Sequence, residues 1–252
     1  AIAGAIDTEK GIVTLSPNLP GWQNIALRDI VREKYRVPTF IINDANAAAL
    51  GEHRLGAGKG VNNMIYLTVS TGIGGGIILD GKLYSGACGS AGELGHMTID
   101  VNGPLCLCGN IGCLEVLASG RAVAREAIRR ISYGEKSSLS KVDNIEEITA
   151  QQVAAAAEQG DRLAVEVISQ AAVYLGVGLV NLVNIFNPEV IIVGGGLSRI
   201  GNCLLDPARE MVRERAFQLS AQAVRIETAQ LGDDAGLLGA ALFAWDELER
   251  EK

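Results

Sequence analysis

The sequence has no dense cluster of lysine and arginine. This argues against a nucleic-acid-binding surface, because such surfaces need clustered cations to displace counterions. Of its 252 residues, 29 are Asp or Glu and 22 are Lys or Arg, so the formal net charge is -7. The densest basic stretch, Arg121 to Arg130, is interrupted by Glu126 and apolar residues, and we interpret it as the solvated face of a helix. We therefore expect no nucleic-acid partner for this chain.

Long apolar runs are also missing. The most apolar helical stretch that we identify, Leu237 to Trp245, is far shorter than the roughly 18–20 residues that span a bilayer. The first residues lack the pattern of a signal peptide. With 48% hydrophobic and 20% charged residues, the composition is typical of a soluble globular protein. These features predict a cytoplasmic protein without a membrane partner.

Segments rich in β-branched residues alternate with helical patterns, which predicts an α/β architecture. Strands are predicted over 1–6, 11–16, 39–43, 64–70, 76–80, 189–193 and 223–227. Helices are predicted over 25–35, 44–58, 114–131, 149–186, 203–219 and from Ala235 onward, with a loop over 17–20. The pair Asp80-Gly81 is a hairpin turn signal.

Three of the five cysteines lie within eight residues, and one of the two histidines precedes them by ten. The candidate ligands are His96, Cys106, Cys108 and Cys113. One imidazole and three thiolates form the closed tetrahedral set that structural zinc prefers. The alternative is that these are inert buried thiols beside an unrelated histidine. Cys88 and Cys203 lie apart, and we interpret them as small core residues.

Two carboxylates accompany this candidate zinc site. Glu93 and His96 are three residues apart, so a helical turn would place them on one face. Glu115 follows Cys113 closely, so a zinc cluster would bring Glu93, His96 and Glu115 together. Carboxylates and an imidazole are suitable partners for sugar hydroxyls. The alternative is that both glutamates are only surface or capping residues.

Two glycine segments and one aspartate complete the candidate residues. The segment TGIGGG (71–76) lies between two predicted strands and suits a hairpin whose amides approach phosphate, although a simple tight turn is the alternative. GGG (194–196) follows a buried strand, where α/β sheets usually bind ligands. Asp44 stands at a strand-to-helix junction after Asn43. It is interpreted either as a helix N-cap or as a general base, which the positive helix end would keep ionised.

Taken together, the motifs NDANAAALGE, STGIGGGIILDGKLYSGACGSAGELGH and CLCGNIGCLE resemble the ROK family, named for its repressors, open reading frames and kinases. The resemblance implies an α/β, actin-like ATPase (ribonuclease H-like) two-lobed sugar-kinase fold. Residues 1–43 would form part of a small lobe, to which the final helix (236–252) returns, and 44–235 would form the large lobe. The family also suggests a homodimer or homotetramer.

By matching motif positions, the resemblance assigns roles in the ATP-dependent phosphorylation of a hexose, most simply glucose to glucose 6-phosphate. Asp44 would be the general base. The sugar would be held by Asn43, Asp44, Glu93, His96 and Glu115. The ATP phosphates would face Thr71, Gly72 and Gly74, and adenosine would face Gly194, Gly195 and Gly196. Mg²⁺ would accompany ATP, and Zn²⁺ would take His96, Cys106, Cys108 and Cys113.

The sequence departs from the family pattern in one respect. No early D-x-G-G-T phosphate loop is present. We therefore expect an upstream segment to be missing and the chain as given to be inactive alone. The alternative function is the sugar-sensing domain of a family repressor, with its DNA-binding domain in the missing part. TGIGGG favours the kinase, because a repressor has no need of a nucleotide loop.

Overall fold

The structure, a computed structural model, describes residues 1–16 and 19–250. Pro17 and Asn18 of the predicted 17–20 loop lie outside the described residues, as do the last two residues of the predicted final helix.

A small antiparallel sheet begins the fold. Its strands are β1 (Ala5–Asp7), β2 (Ile12–Leu15) and β3 (Gln23–Ile25), in the order β1-β2-β3, followed by helix α1 (Leu27–Tyr35). The predicted strand over 39–43 is wrong except for one bridge, in which Asn43 pairs in parallel with Ile2. Ile41 and Ile42 are buried, so the apolar pattern there reflects core packing and not strand pairing.

The second sheet has five strands in the order β6-β5-β4-β7-β8. They are β4 (Met64–Val69), β5 (Ile73–Leu79), β6 (Lys82–Leu83), β7 (Val190–Gly194) and β8 (Arg225–Thr228). β4 pairs antiparallel with β5 and parallel with β7, and β8 is parallel to β7. The predicted Asp80-Gly81 hairpin turn is confirmed, since both residues have positive φ and connect β5 to β6.

Most helices cover one face of this sheet. They are α3 (Leu114–Ala118), α4 (Gly120–Ser132), α5 (Ala150–Glu158), α6 (Arg162–Phe186), α7 (Asn202–Arg215) and α8 (Gln218–Ala223). The two long predicted helices are each divided, because Ser119 caps α4 and Asp161 caps α6 through their side-chain oxygens. Ile65, Leu67 and Val69 of β4 point into the core beneath these helices.

Helix α6 corrects the expectation about apolar stretches. By length and composition it is long and apolar enough to cross a membrane, so it is a longer apolar helical stretch than Leu237 to Trp245. However, 61% of its most apolar window is buried inside the protein. Its leucines at 175, 179 and 182 lie in the main hydrophobic core. α6 is therefore accounted for as a core helix.

The opposite face of the sheet carries α2 (Asp44–Leu55) and α9 (Ala235–Arg250). These helices cross so closely that a Cβ on Gly239 would overlap the carbonyl oxygen of Ala47. The small sheet lies within 1–43 and the large sheet within 44–235, the bounds predicted for the two lobes. The assignment of lobes stays a prediction.

Candidate functional site

The start of α2 places Asn43 and Asp44. Asn43 is the N-cap, since its Oδ1 accepts hydrogen bonds from the amides of Ala45 (2.9 Å) and Asn46 (3.1 Å). Its Nδ2 donates to the carbonyl of Gly4 (3.2 Å), so most of its hydrogen-bonding capacity is used within the protein. Asp44 is therefore not the helix cap, and the capping alternative for it is wrong. Asp44 is exposed, and its Oδ1 accepts from the amide of Ala45.

Glu93 and His96 lie on one short 3₁₀ turn, as their spacing predicts. Glu93 Oε2 is 3.9 Å from His96 Nε2. Burial raises the pKa of Glu93; His96 opposes this rise, while the nearby carboxylates of Asp44 and Glu115 add to it. Asp44, Glu93, His96 and Glu115 therefore share one neighbourhood, which we call the acid–histidine cluster. Its carboxylate oxygens can accept several hydroxyl hydrogens.

The structure brings the four predicted metal ligands close together. The ligand atoms of His96, Cys106, Cys108 and Cys113 all lie within 4.8 Å of one another. His96 Nδ1 is 3.7 Å from Cys106 Sγ, and Cys108 Sγ is 3.7 Å from Cys113 Sγ. A tetrahedron with Zn–S bonds near 2.3 Å has edges of about 3.8 Å, so the donor set and its spacing fit zinc. His96 turns its other nitrogen toward Glu93.

Backbone contacts hold the metal loop against the acid–histidine cluster. The amide of Leu114 donates to Met97 (2.9 Å) and that of Ile99 donates to Gly112 (2.9 Å), which aligns the His96 and Cys113 segments. Gly112 has φ +65°, and a Cβ there would overlap the carbonyl of Asp100. The loop has little core of its own, since Leu105 and Leu107 are 71% and 81% exposed. These backbone bonds therefore order the loop, and we expect a bound metal to order it further.

The three thiols differ in acidity. Burial, with the neighbouring thiols, raises the pKa of Cys113 to about 12, and burial also raises the pKa of Cys106. For Cys108, burial acts in the same direction, but hydrogen bonds from the Asn110 amide and the other thiols lower the pKa overall. Zinc must therefore displace protons to bind here, so its affinity should fall in acid.

Cys88 and Cys203 are not core residues. Both are exposed, so the interpretation from sequence is wrong. Cys88 lies in the loop before the 3₁₀ turn, and Cys203 lies in the first turn of α7, on its solvent side. Their small apolar side chains suit a core, but each stands at an exposed position of its loop or helix.

The predicted glycine loop over 71–76 is wrong in its C-terminal half. The β4–β5 turn consists only of Ser70–Gly72, and the glycines at 74, 75 and 76 belong to β5. A Cβ on Gly76 would lie 2.5 Å from the Cβ of Ala49, and one on Gly74 would lie 3.0 Å from that of Ala45. These glycines let α2 approach the sheet, and Gly74 lies outside the turn.

The β4–β5 turn is held from two sides. The amides of Gly120 and Arg121 donate to the carbonyls of Ser70 (2.8 Å) and Thr71 (3.3 Å). Glu115 Oε2 accepts from the amide of Ile73 (2.9 Å). Among the described residues, nothing accepts a hydrogen bond from the amides of Thr71 and Gly72. The turn therefore presents two adjacent N–H groups, a geometry suited to an anion.

A cavity of about 530 Å³, which we call the α4–α5 cavity, opens beside this turn. It is lined by Ser70, Thr71, Gly120, Arg121, Ala124, Ile148, Thr149, Ala150, Gln151, Ala154, Ala155, Glu158, Gly196, Leu197 and Ile200. Of the three predicted adenosine-facing glycines, only Gly196 reaches it. Gly194 is buried against Tyr66 and Ala229, and Gly195 packs on the carbonyl of Val69.

Sequence reasoning missed Arg121, Gln151 and Glu158 as lining residues. Arg121 was interpreted only as part of a solvated helix face. The signal that could have indicated α5 is its spacing: residues 151, 154, 155 and 158 recur on one helical face, with small alanines between polar ends.

A smaller cavity of about 290 Å³ lies on the α9 side, lined in part by Asn43, Asn46, Ser85 and Phe243. The buried Oδ1 of Asn46 has no hydrogen-bond partner within the described part of the chain. Neither cavity is lined by any member of the acid–histidine cluster. That cluster therefore lies outside both cavities.

Comparison with known proteins adds independent findings. A sequence profile described as the ROK family matches residues 1–247. A xylose repressor from Caldicellulosiruptor bescii is 43% identical over 238 residues, which cover 94% of this chain and 59% of the repressor. A glucokinase from Thermotoga maritima is 40% identical over 239 residues, which cover 94% of this chain and 75% of the glucokinase.

Solved structures of ROK family proteins also match this chain. The crystal structure of a ROK family glucokinase from Streptomyces griseus, in complex with glucose and AMPPNP, matches with a TM-score of 0.86 and 39% identity. The match covers 97% of this chain and 80% of that one. The chain thus spans less than two thirds of the repressor and a larger share of the glucokinases.

Proposed function

The chain belongs to the ROK family and has the actin-like ATPase fold of its sugar kinases; from this premise we propose that it serves the ATP-dependent phosphorylation of a hexose, with glucose as the first candidate. One observation carries the proposal. The acid–histidine cluster and the α4–α5 cavity both adjoin the β4–β5 turn: Glu115 of the cluster accepts from the Ile73 amide directly after the turn, and Ser70 and Thr71 of the turn line the cavity. A phosphoryl group bound at that turn would lie between a sugar site and a nucleotide site.

Asp44 is the proposed general base. It is exposed at the first residue of α2 and belongs to the acid–histidine cluster. Its carboxylate has acceptor capacity beyond the single bond from the Ala45 amide, so it can take the proton of a sugar hydroxyl. Asn43, which caps the helix, fixes the backbone on which Asp44 stands and has one amide hydrogen left for a sugar.

Glu93, His96 and Glu115 are the proposed sugar contacts. Burial, and to a smaller extent the carboxylates of Asp44 and Glu115, raise the pKa of Glu93, and sugar hydroxyls that donate to its carboxylate would offset part of this cost. His96 can offer Nε2 to the sugar while Nδ1 faces the metal site. Zinc bound by His96 and the three cysteines would supply a structural cross-link that fixes these side chains.

The nucleotide would enter the α4–α5 cavity. The free amides of Thr71 and Gly72 can donate to phosphate oxygens, and Gly196 lets the backbone approach on the opposite wall. Mg²⁺ accompanies ATP in phosphoryl transfer and neutralises the charge that develops there. The proposed setting is cytoplasmic, with a homodimer or homotetramer as the proposed assembly.

The second candidate function is the sugar-sensing domain of a transcriptional repressor. It is favoured by the xylose repressor relative, whose identity of 43% is as high as that of the glucokinase. Such a domain would use the acid–histidine cluster for a sugar without transferring phosphate. The two functions differ in whether the α4–α5 cavity binds a nucleotide.

The deciding experiment uses the full-length protein. ATP binding is measured by calorimetry, and phosphorylation of glucose, fructose, mannose and N-acetylated hexoses is followed by coupled release of ADP. The kinase proposal expects ATP binding and turnover with at least one sugar. Sugar binding without ATP binding or turnover would reject the kinase and support the sensor.

A further inference from the structure

Asn110 lies in the metal loop and contacts all three of its cysteines. Its carbonyl accepts from the amide of Cys106 (2.7 Å), and its own amide bonds to the Cys108 thiol. Its side-chain Nδ2 donates to Cys113 Sγ (3.5 Å). Sequence reasoning did not single out this residue, which is exposed. An exposed asparagine does not need these contacts for its own solvation, so they point to a role in the metal site.

The orientation of the Asn110 side chain is fixed by a second partner. Nδ2 also donates to Thr98 Oγ1 (2.8 Å), and the Thr98 hydroxyl gives its own hydrogen to the carbonyl of Ile111 (3.3 Å). The Thr98 oxygen is therefore left to accept, so the nitrogen of the amide and not its oxygen must face it. The same nitrogen then directs its other hydrogen at Cys113. Thr98 and Cys113 also pair as an antiparallel bridge, so Asn110 ties together two segments that are already adjacent.

The metal site has a charge that such a donor can offset. Three thiolates and one neutral imidazole around Zn²⁺ leave one excess negative charge. The carboxylates of Asp44, Glu93 and Glu115 add negative charge in the adjoining acid–histidine cluster. The sequence has no lysine or arginine between Lys82 and Arg121. The stretch that carries the four ligands can therefore offset the charge only with N–H groups, which form strong hydrogen bonds to anionic acceptors.

The simpler interpretation is that Asn110 is only a turn residue. Asparagine is common in turns because its side chain bonds to the backbone a few residues away. Here the turn closes through backbone bonds alone, from Gly109 to the carbonyl of Cys106 (3.0 Å) and from Cys106 to that of Asn110. The side chain instead reaches Thr98, twelve residues away, and the sulfur of Cys113. Turn formation therefore does not account for it.

We propose that Asn110 is a positioning residue of the metal site. Its Nδ2 donates to the metal-bound thiolate of Cys113, offsets part of the excess negative charge, and ties that ligand to Thr98, two residues after His96. Its loss should weaken zinc binding although all four ligands remain. The inference rests on the zinc assignment and is independent of which of the two candidate functions holds, because both use the acid–histidine cluster.

The first test measures the Zn²⁺ affinity of the full-length protein by competition with a chromophoric chelator. Asn110→Ala should weaken zinc binding about tenfold, the lower end of the usual effect of losing such a partner. Asn110→Asp keeps the size but puts an acceptor where the donor was, and it should weaken binding about a hundredfold. Asn102→Ala and Asn102→Asp are matched controls. Asn102 is exposed in the same loop and bonds to Asp100 through its backbone amide, so zinc affinity should stay nearly unchanged.

A second measurement separates a bond to sulfur from a general effect on the loop. Co²⁺ is bound in place of Zn²⁺, and the sulfur-to-cobalt charge-transfer absorption is recorded. A thiolate that loses an N–H donor gives up electron density more readily, so the band of Asn110→Ala should move to longer wavelength. The bands of both Asn102 variants should stay in place. Circular dichroism checks that every variant is folded.

The outcomes separate this inference from the metal assignment. If the unaltered protein binds no zinc, the assignment fails and the inference fails with it. If it binds zinc and both Asn110 variants bind as tightly, only the inference is overturned. A lower affinity without a shift of the charge-transfer band would show that Asn110 shapes the loop without donating to the thiolate, and would also overturn it.

Discussion

At the residue scale, Asp44 carries the chemical step of the proposed reaction. Asp44→Asn keeps the size of the side chain and the oxygen that accepts from Ala45, while it removes the proton acceptor. Turnover should fall about 10²–10⁴-fold, the usual cost of losing a general base. A coupled kinase assay measures this, and calorimetry should show that sugar binding persists. Asp143→Asn, at an exposed position away from the site, is the control. Near-normal turnover in Asp44→Asn would place the base elsewhere.

Glu115 differs from Glu93 because only Glu115 also holds the β4–β5 turn. Its Oε2 accepts from the amide of Ile73, whereas Glu93 Oε2 lies 3.9 Å from His96 Nε2. Glu115→Ala should therefore weaken both sugar and ATP binding by about tenfold or more, while Glu93→Ala should weaken only sugar binding. Separate titrations with each ligand measure this. Equal effects of the two variants on ATP affinity would contradict the role of Glu115 in the turn.

At the element scale, Asp161 fixes the start of the long core helix α6. Its carboxylate accepts from Ala164 (3.0 Å) and from the amide and hydroxyl of Ser138 and the hydroxyl of Ser137. Burial alone would raise its pKa, but these bonds outweigh burial and lower the pKa to about 2. A lowered carboxyl pKa stabilises the fold above the ordinary value of 3.8, and this stabilisation is lost as the pH falls toward 2.

Asp161→Ala should accordingly reduce the free energy of unfolding by about 1–2 kcal/mol at pH 7. The difference from the unaltered protein should narrow at pH 3, which lies below the ordinary carboxyl pKa of 3.8, because the unfolded chain is then largely protonated at Asp161 and the advantage of the ionised carboxylate in the folded state is partly lost. Urea unfolding at the two pH values measures this, with Asp143→Ala as the control. A destabilisation that is the same at pH 3 and at pH 7 would show that the carboxylate charge does not contribute.

The crossing of α2 and α9 offers a second test of an element contact. Gly239→Ala would force a Cβ onto the Ala47 carbonyl, whereas a Cβ on Gly236, in the same helix, has its nearest neighbour at 3.9 Å. Gly239→Ala should destabilise the fold by about 1–3 kcal/mol, and Gly236→Ala should be neutral or slightly stabilising. Thermal unfolding compares them. Similar effects of the two variants would contradict the close crossing.

At the scale of the whole molecule, the metal loop joins two parts of the site that lie apart in sequence. Protein purified without added metal should contain about one zinc per chain. Cys108→Ser should lose the metal, while Cys88→Ser, an exposed cysteine outside the cluster, should keep it. Elemental analysis measures this. A zinc-free protein with all four ligands intact would reject the metal assignment.

Loss of zinc should also loosen the site beyond the loop. Because Leu105 and Leu107 are exposed and add little packing, residues 93–115 should exchange amide hydrogens faster after chelation. Sugar affinity should fall with the same treatment, since Glu93 and His96 lose their support. Unchanged exchange and unchanged sugar affinity would mean that the backbone bonds suffice to order the loop.

Short sequence patterns were enough to predict several features of the fold and of the site. The four metal ligands lie within eighteen consecutive residues (96–113), and their types and spacing alone indicate a tetrahedral site. The 3₁₀ turn that pairs Glu93 with His96 and the Asp80-Gly81 hairpin are also short-range features, so they were predictable. The motifs likewise identified the family and thereby the fold.

Other features depend on contacts between distant segments, and only the tertiary structure decided them. The glycine pattern over 74–76 predicts a loop, but these residues pair with β4 as part of β5, and α2 packs on Gly74 and Gly76. Cys88 and Cys203 have side chains typical of a core, but the packing of their segments leaves both exposed. Glu115 reaches Ile73 across 42 residues, and Arg121 reaches the turn only because α4 packs beside it. Local sequence specifies which elements form and which ligands a loop carries, whereas the packing of helices on the sheet determines which side chains meet, because burial acts between segments that no short pattern connects.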